Sequence, residues 1–123
     1  ERAAAGKLAV NLGLAVTMQA LTESIRVGTS VGMSAQDVMD LMAKTPLAGI
    51  AAAKGATVAG GDYDDAQFTV DALAKDLGLV LDAAQPLPVT ETTRERLLAA
   101  QDAGLGDSDF SVIAAEASAS RAD

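Results

Sequence analysis

The chain has 123 residues, 27 of them alanine, with three aromatics (Tyr63, Phe68 and Phe110), no Cys, His or Trp, and a formal net charge of −8. One domain of ~100–200 residues fits that length and two do not; the missing residue types exclude a disulfide framework, a Cys–His zinc site, a thiol nucleophile and a Ser-His-Asp triad. The acidic balance argues against a nucleic-acid partner, whose backbone is held by clustered Lys and Arg, and a hydrophobic fraction of 50 % argues against disorder.

Abundant Ala and Leu favour helix, and strand-forming aromatics are nearly missing. Residues from about Ala3 to Gly28 read as one long helix, because Leu14, Met18, Leu21 and Ile25 fall on one face. Leu8, Leu12, Ala15 and Val16 add a second apolar stripe, which predicts a central position in the domain. Ser34 is the N-cap of a second helix with Asp37 in its first turn, and Pro46 stops it. Leu47 to about Lys54 is an Ala-rich helical segment, followed by a loop from Gly60 to Asp65. A fourth helix is predicted from about Ala66 to Ala84, with Val70, Leu73, Leu77 and Val80–Leu81 on one stripe and Phe68, Ala72, Lys75 and Leu79 on another. Pro86 breaks it, and Pro88 opens a helix that runs to about Ala103. Gly104 to Asp107 is a turn, Asp109 or Ser111 caps a short last helix to about Ala117, and Ser118–Asp123 is a frayed tail. The expected class is all-α, a multi-helix domain around a long N-terminal helix.

The apolar stretch Leu8–Leu21 is interrupted by Asn11, Thr17 and Gln19 and is shorter than the ~20 residues of a membrane span. No membrane partner and no leader are expected, and the expected compartment is the cytoplasm. The chain opens on Glu1 rather than Met, which predicts a piece of a longer protein.

Three groupings could carry chemistry. Lys7 and Asn11, four residues apart, share a helical face that runs into the Leu14–Met18–Leu21 stripe. That pair reads either as a small polar site or as a lysine snorkelling from the first turn beside a locally bonded amide. Phe68, Lys75 and Asp76 read either as a second site or as a core ring with a surface Lys–Asp pair. Gly104-Leu-Gly-Asp-Ser-Asp109 does not follow a strand, so it is a C-cap followed by an N-cap and not a dinucleotide fingerprint. Asp62, Asp64 and Asp65 lack the glycine and distal glutamate of a calcium loop, and no metal is expected.

Together these segments resemble the C-terminal helical domain of the β-hydroxyacid dehydrogenases, the family of 3-hydroxyisobutyrate dehydrogenase and tartronate semialdehyde reductase. Lys7-Leu-Ala-Val-Asn11 is similar to the family's K-x-x-N-N segment, FTVDALAKDLGL from Phe68 to Leu79 to its second motif, and Gly104 to Ser111 to its G-x-G-D-x-D-x-S. Val10 stands where the family has its first Asn, and Glu1 and Ala3 stand where glycines precede the family lysine. The resemblance implies a fold like the C-terminal domain of 6-phosphogluconate dehydrogenase-like enzymes. It also implies an N-terminal Rossmann domain of the same protein, a small hydroxy-acid substrate, NAD or NADP bound mainly by that domain, and a homo-oligomer. In that frame Lys7 is the catalytic lysine, Asn11 holds the substrate, and Phe68, Lys75 and Asp76 border the cofactor. An ammonium suits the reaction because it supplies a proton and a positive charge where oxygen becomes negative. The alternatives are a related imine or semialdehyde reductase domain and a non-catalytic helical dimerisation module.

Overall fold

A computed structural model describes residues 1–118. Six α-helices are present among them: α1 (Arg2–Ser30), α2 (Ala35–Met42), α3 (Ala48–Gly60), α4 (Val70–Ala83), α5 (Pro88–Asp102) and α6 (Ala115–Ser118), the last entered through a 3-10 turn, Phe110–Ala114. The 29 residues of α1 make a rod about 43 Å long. Asn11, Ala15, Met18, Leu21, Thr22, Ile25 and Gly28 are its buried positions, and that spacing of three and four is one continuous face. The other elements pack around this face, so α1 is the spine of the domain. Met18, Leu21 and Ile25 meet Leu73 and Leu77 of α4, Leu97 of α5 and Phe110 in a single core. Each such side chain contributes about 1.5–3 kcal/mol on burial.

The N-terminal end of α1 is different. No residue from Glu1 to Val10 is buried, and Val10 is 70 % exposed. The first turns therefore protrude beyond the bundle, carrying Lys7 on a rigid helix. By length and composition α1 could cross a membrane, yet its apolar positions from Ala15 to Ile25 are spent on the core.

Helix ends follow local chemistry. Ser34 and Asp37 form a reciprocal capping box at α2. Pro88 occupies the first turn of α5, as the sequence predicts. Gly61 and Gly104 end α3 and α5 at φ +73° and +83°, where a Cβ would be strained. Gly28 meets a different demand, because a Cβ there would overlap the Val38 Cγ2 methyl of α2. Gly28→Ala is thus expected to lower the unfolding free energy by about 1–3 kcal/mol, measured as a fall in the urea midpoint without a change of slope.

Two boundaries depart from the sequence reading. The helix expected to stop near Lys54 continues to Gly60, because Val58 adds another buried position before the left-handed glycine. The helix expected from Ala66 begins at Val70, because Thr69 caps it by accepting from the Ala72 N–H. Phe68 therefore lies outside α4 and does not share a helical face with Lys75. The expected frayed tail falls on residues 119–123, outside the described part, except for Ser118, which belongs to α6.

Candidate active site

The first polar corner lies where α1 leaves the bundle. Asn11 is 8 % exposed, and a buried amide needs partners. Its Nδ2 donates to Asp76 Oδ2 of α4 at 2.8 Å. A carboxylate only accepts, so the amide nitrogen must face Asp76, leaving the Asn11 Oδ1 and one N–H for a further partner. Lys7 sits one turn nearer the free end of α1, on the same face and exposed. Lys75, next to Asp76, is also exposed. The structure thus brings Asn11 and Asp76 together, with Lys7 a turn away. A cation, an amide and a carboxylate on two packed helices can together bind a small oxyanion or hydroxyl group. Removing the amide by Asn11→Ala leaves Asp76 without its partner and is expected to cost about 1–2 kcal/mol, read from urea unfolding.

Phe68 lies in the segment just before α4. Its ring meets Phe110 edge to face, centroids 6.2 Å apart, and it remains half-buried. It belongs to a second polar centre that the sequence reading did not single out. Lys54 of α3 and Asp109 are 5 % and 1 % exposed, and Lys54 Nζ lies 3.0 Å from Asp109 Oδ2. Among the described residues this is the one ion pair. The ammonium also stands 4.9 Å from the Phe110 ring centroid and donates to Gln67 Oε1 at 3.3 Å.

The two oxygens of Asp109 divide their work. Oδ1 accepts from the backbone N–H of Gln67 (3.0 Å) and of Phe68 (3.3 Å), and Oδ2 from the Ser111 N–H and hydroxyl. Burial alone would raise the Asp109 carboxyl. The Ser111 hydroxyl, Lys54 and the N–H groups of Ser111 and Phe68 overcome that and hold it below its ordinary value. Backbone bonds complete the seam: Asp109 N–H to the Tyr63 carbonyl at 2.8 Å, Phe110 N–H to the Phe68 carbonyl at 2.8 Å, and Val70 N–H to the Ser108 carbonyl at 2.9 Å. A signal for Lys54 was present in the sequence. It lies at helical spacing from Ile50, Ala51 and Val58, all buried, and a lysine on an apolar stripe requires a buried partner.

Helices gathered around one long helix match the helical part of solved hydroxyacid dehydrogenases. A family model described as NAD-binding of NADP-dependent 3-hydroxyisobutyrate dehydrogenase matches residues 2–116, and the chain belongs to that family. A 3-hydroxyisobutyrate dehydrogenase from Salmonella typhimurium superposes with a TM-score of 0.80 at 28 % identity, over 89 % of this chain and 40 % of that one. A 3-hydroxyisobutyrate dehydrogenase from Mycobacterium tuberculosis, solved with L-serine, gives 0.78 at 26 % identity, over 94 % of this chain and 43 % of that one. The chain therefore spans about two fifths of the length of these structures. No curated protein sequence matches it.

Proposed function

We propose that this chain is the helical, substrate-side part of an NAD(P)-dependent dehydrogenase that interconverts a small β-hydroxy acid and its semialdehyde. The observation that carries this reading is the Asn11–Asp76 hydrogen bond below an exposed Lys7 on the protruding turns of α1. A Rossmann domain of the same protein, packed against those turns, would close a cleft over them. Homo-oligomerisation is part of the reading, supported by Val27 and Val31, both largely exposed at the other end of α1.

The residues fit the border of a dinucleotide and not its cradle. Lys75 is an exposed cation and Phe68 a half-covered ring, whereas a glycine-rich turn between strand and helix, which would hold a pyrophosphate, is absent from this sequence. The bound nicotinamide supplies the hydride acceptor or donor. Lys7 handles the proton: as an amine it takes the hydroxyl proton during oxidation, and as an ammonium it returns a proton to the developing alkoxide during reduction. Asn11, held from behind by Asp76, offers its remaining amide atoms to orient the substrate. Closure of the cleft would strip water from an ammonium that is exposed in this chain alone.

The test is turnover by the full-length protein with NAD and with NADP against a panel of small hydroxy acids, 3-hydroxyisobutyrate and L-serine among them. Hydroxy-acid-dependent reduction of either nicotinamide is the expected result. A protein that oligomerises tightly and turns over none of them would be the helical association module instead.

A further inference from the structure

The Lys54–Asp109 pair is buried, takes no part in the proton chemistry above, and touches the loop that carries Phe68. We infer that Asp109 is a positioning residue, whose Oδ1 fixes the Gln67–Phe68 backbone and so sets the Phe68 ring at the edge of the cofactor cleft. The inference rests on the proposed reading of Phe68 as a cleft residue.

Phe68 is the last residue but one before α4, and its position is not set by that helix, whose cap is Thr69. Its N–H donates to Asp109 Oδ1 at 3.3 Å, that of Gln67 donates to the same oxygen at 3.0 Å, and its carbonyl accepts from Phe110 N–H at 2.8 Å. Two main-chain bonds to one carboxylate oxygen and a third to the Phe110 N–H are a strong constraint on a short segment. Lys54 restrains that carboxylate from the α3 side, at 3.1 Å from Oδ1 and 3.0 Å from Oδ2. Oδ2 serves a separate purpose, capping the 3-10 turn through Ser111. A half-covered ring is useful at a cleft only if its angle is reproducible, and the edge-to-face contact with Phe110 covers part of it without fixing the backbone. A core role alone would need neither a buried charge nor two converging N–H groups, since an apolar pair packs as well.

The split between Oδ1 and Oδ2 supplies the test. In the full-length enzyme Lys54→Met removes the buried cation, so no lone charge remains when Asp109 is neutralised. On that background Asp109→Asn keeps one acceptor, which at the Oδ1 position serves the Gln67 and Phe68 N–H groups while its amide nitrogen faces the Ser111 hydroxyl, itself able to accept. Asp109→Ser keeps a cap for Ser111 but is one bond too short to reach Gln67 and Phe68. KM for the nicotinamide cofactor is expected to rise about tenfold in the serine variant over the asparagine variant, with kcat within about twofold. A 4-fluorophenylalanine at position 68 reads the same contrast without turnover. Its 19F resonance is expected to hold its wild-type shift in the asparagine variant and to move and narrow in the serine variant. If the serine variant is not recovered folded, Asp109→Thr, which also caps, replaces it. Equal KM values and a common resonance in the two folded variants would overturn the inference. Phe68→Ala separates the two readings: an unchanged cofactor KM there defeats the cleft role of Phe68, while the fluorine contrast still judges whether Asp109 positions it.

Discussion

Lys7→Ala in the full-length protein is expected to lower kcat for hydroxy-acid oxidation by two to four orders of magnitude, about the share that one well-placed acid–base group supplies. The fold should not register the change. Lys7 is exposed on turns of α1 that carry no buried residue before Asn11, and surface substitutions of that kind stay within about 0.5 kcal/mol. Loss of activity at constant thermal midpoint is thus the signature, measured as steady-state turnover beside circular-dichroism melting. Lys7→Arg sharpens the result. It keeps the positive charge but gives up the proton far less readily, so it should recover substrate binding and not turnover. Turnover by Lys7→Ala at the wild-type rate would remove Lys7 from the chemistry.

The largest effect on stability is expected at Asp109. Asp109→Ala leaves Lys54 charged and buried and deprives the Gln67, Phe68 and Ser111 N–H groups of their acceptor. Removing one partner of a buried pair costs about 3–5 kcal/mol, a large part of the ~5–15 kcal/mol that holds a domain together. Lys54→Met with Asp109→Asn, which removes both charges and keeps the shape, should lose much less, so the two positions should be strongly non-additive in a double-mutant cycle. The same pair gives a pH dependence with a definite sign. The folded state holds the Asp109 carboxyl below its ordinary value, so folding favours the ionised form. That contribution is fully present above the unfolded value, at about pH 4, and is lost as pH falls from there through the folded value. The urea midpoint of the wild type should therefore drop more steeply between about pH 5 and pH 3 than that of Lys54→Met with Asp109→Asn. Parallel midpoints over that range would mean that Asp109 carries no linkage.

What the sequence made legible was what local pattern and chain chemistry control. The Leu14–Met18–Leu21–Ile25 period defines the buried face of α1. Ser34 with Asp37, Pro88 and the glycines at 61 and 104 mark helix ends through interactions a few residues long. The pairing of Lys7 and Asn11 on one face follows from helical spacing alone. Phe68 shows the limit of such reasoning: helical periodicity extended α4 back to Ala66, but Thr69 caps the helix, and the Gln67 and Phe68 N–H groups before it are held by a carboxylate about forty residues further on.

The all-α class, the central helix and the segments that resemble the dehydrogenase family were thus determined by the sequence itself, because they depend on periods and caps that neighbours in the chain set. The partners of Asn11 and Lys54 were decided only by tertiary structure. Asp76 is sixty-five positions from Asn11 and Asp109 is fifty-five from Lys54. A buried polar group advertises in sequence that it needs a partner. Which residue answers depends on how α1, α3 and α4 pack, and that is set by the shape of the whole core.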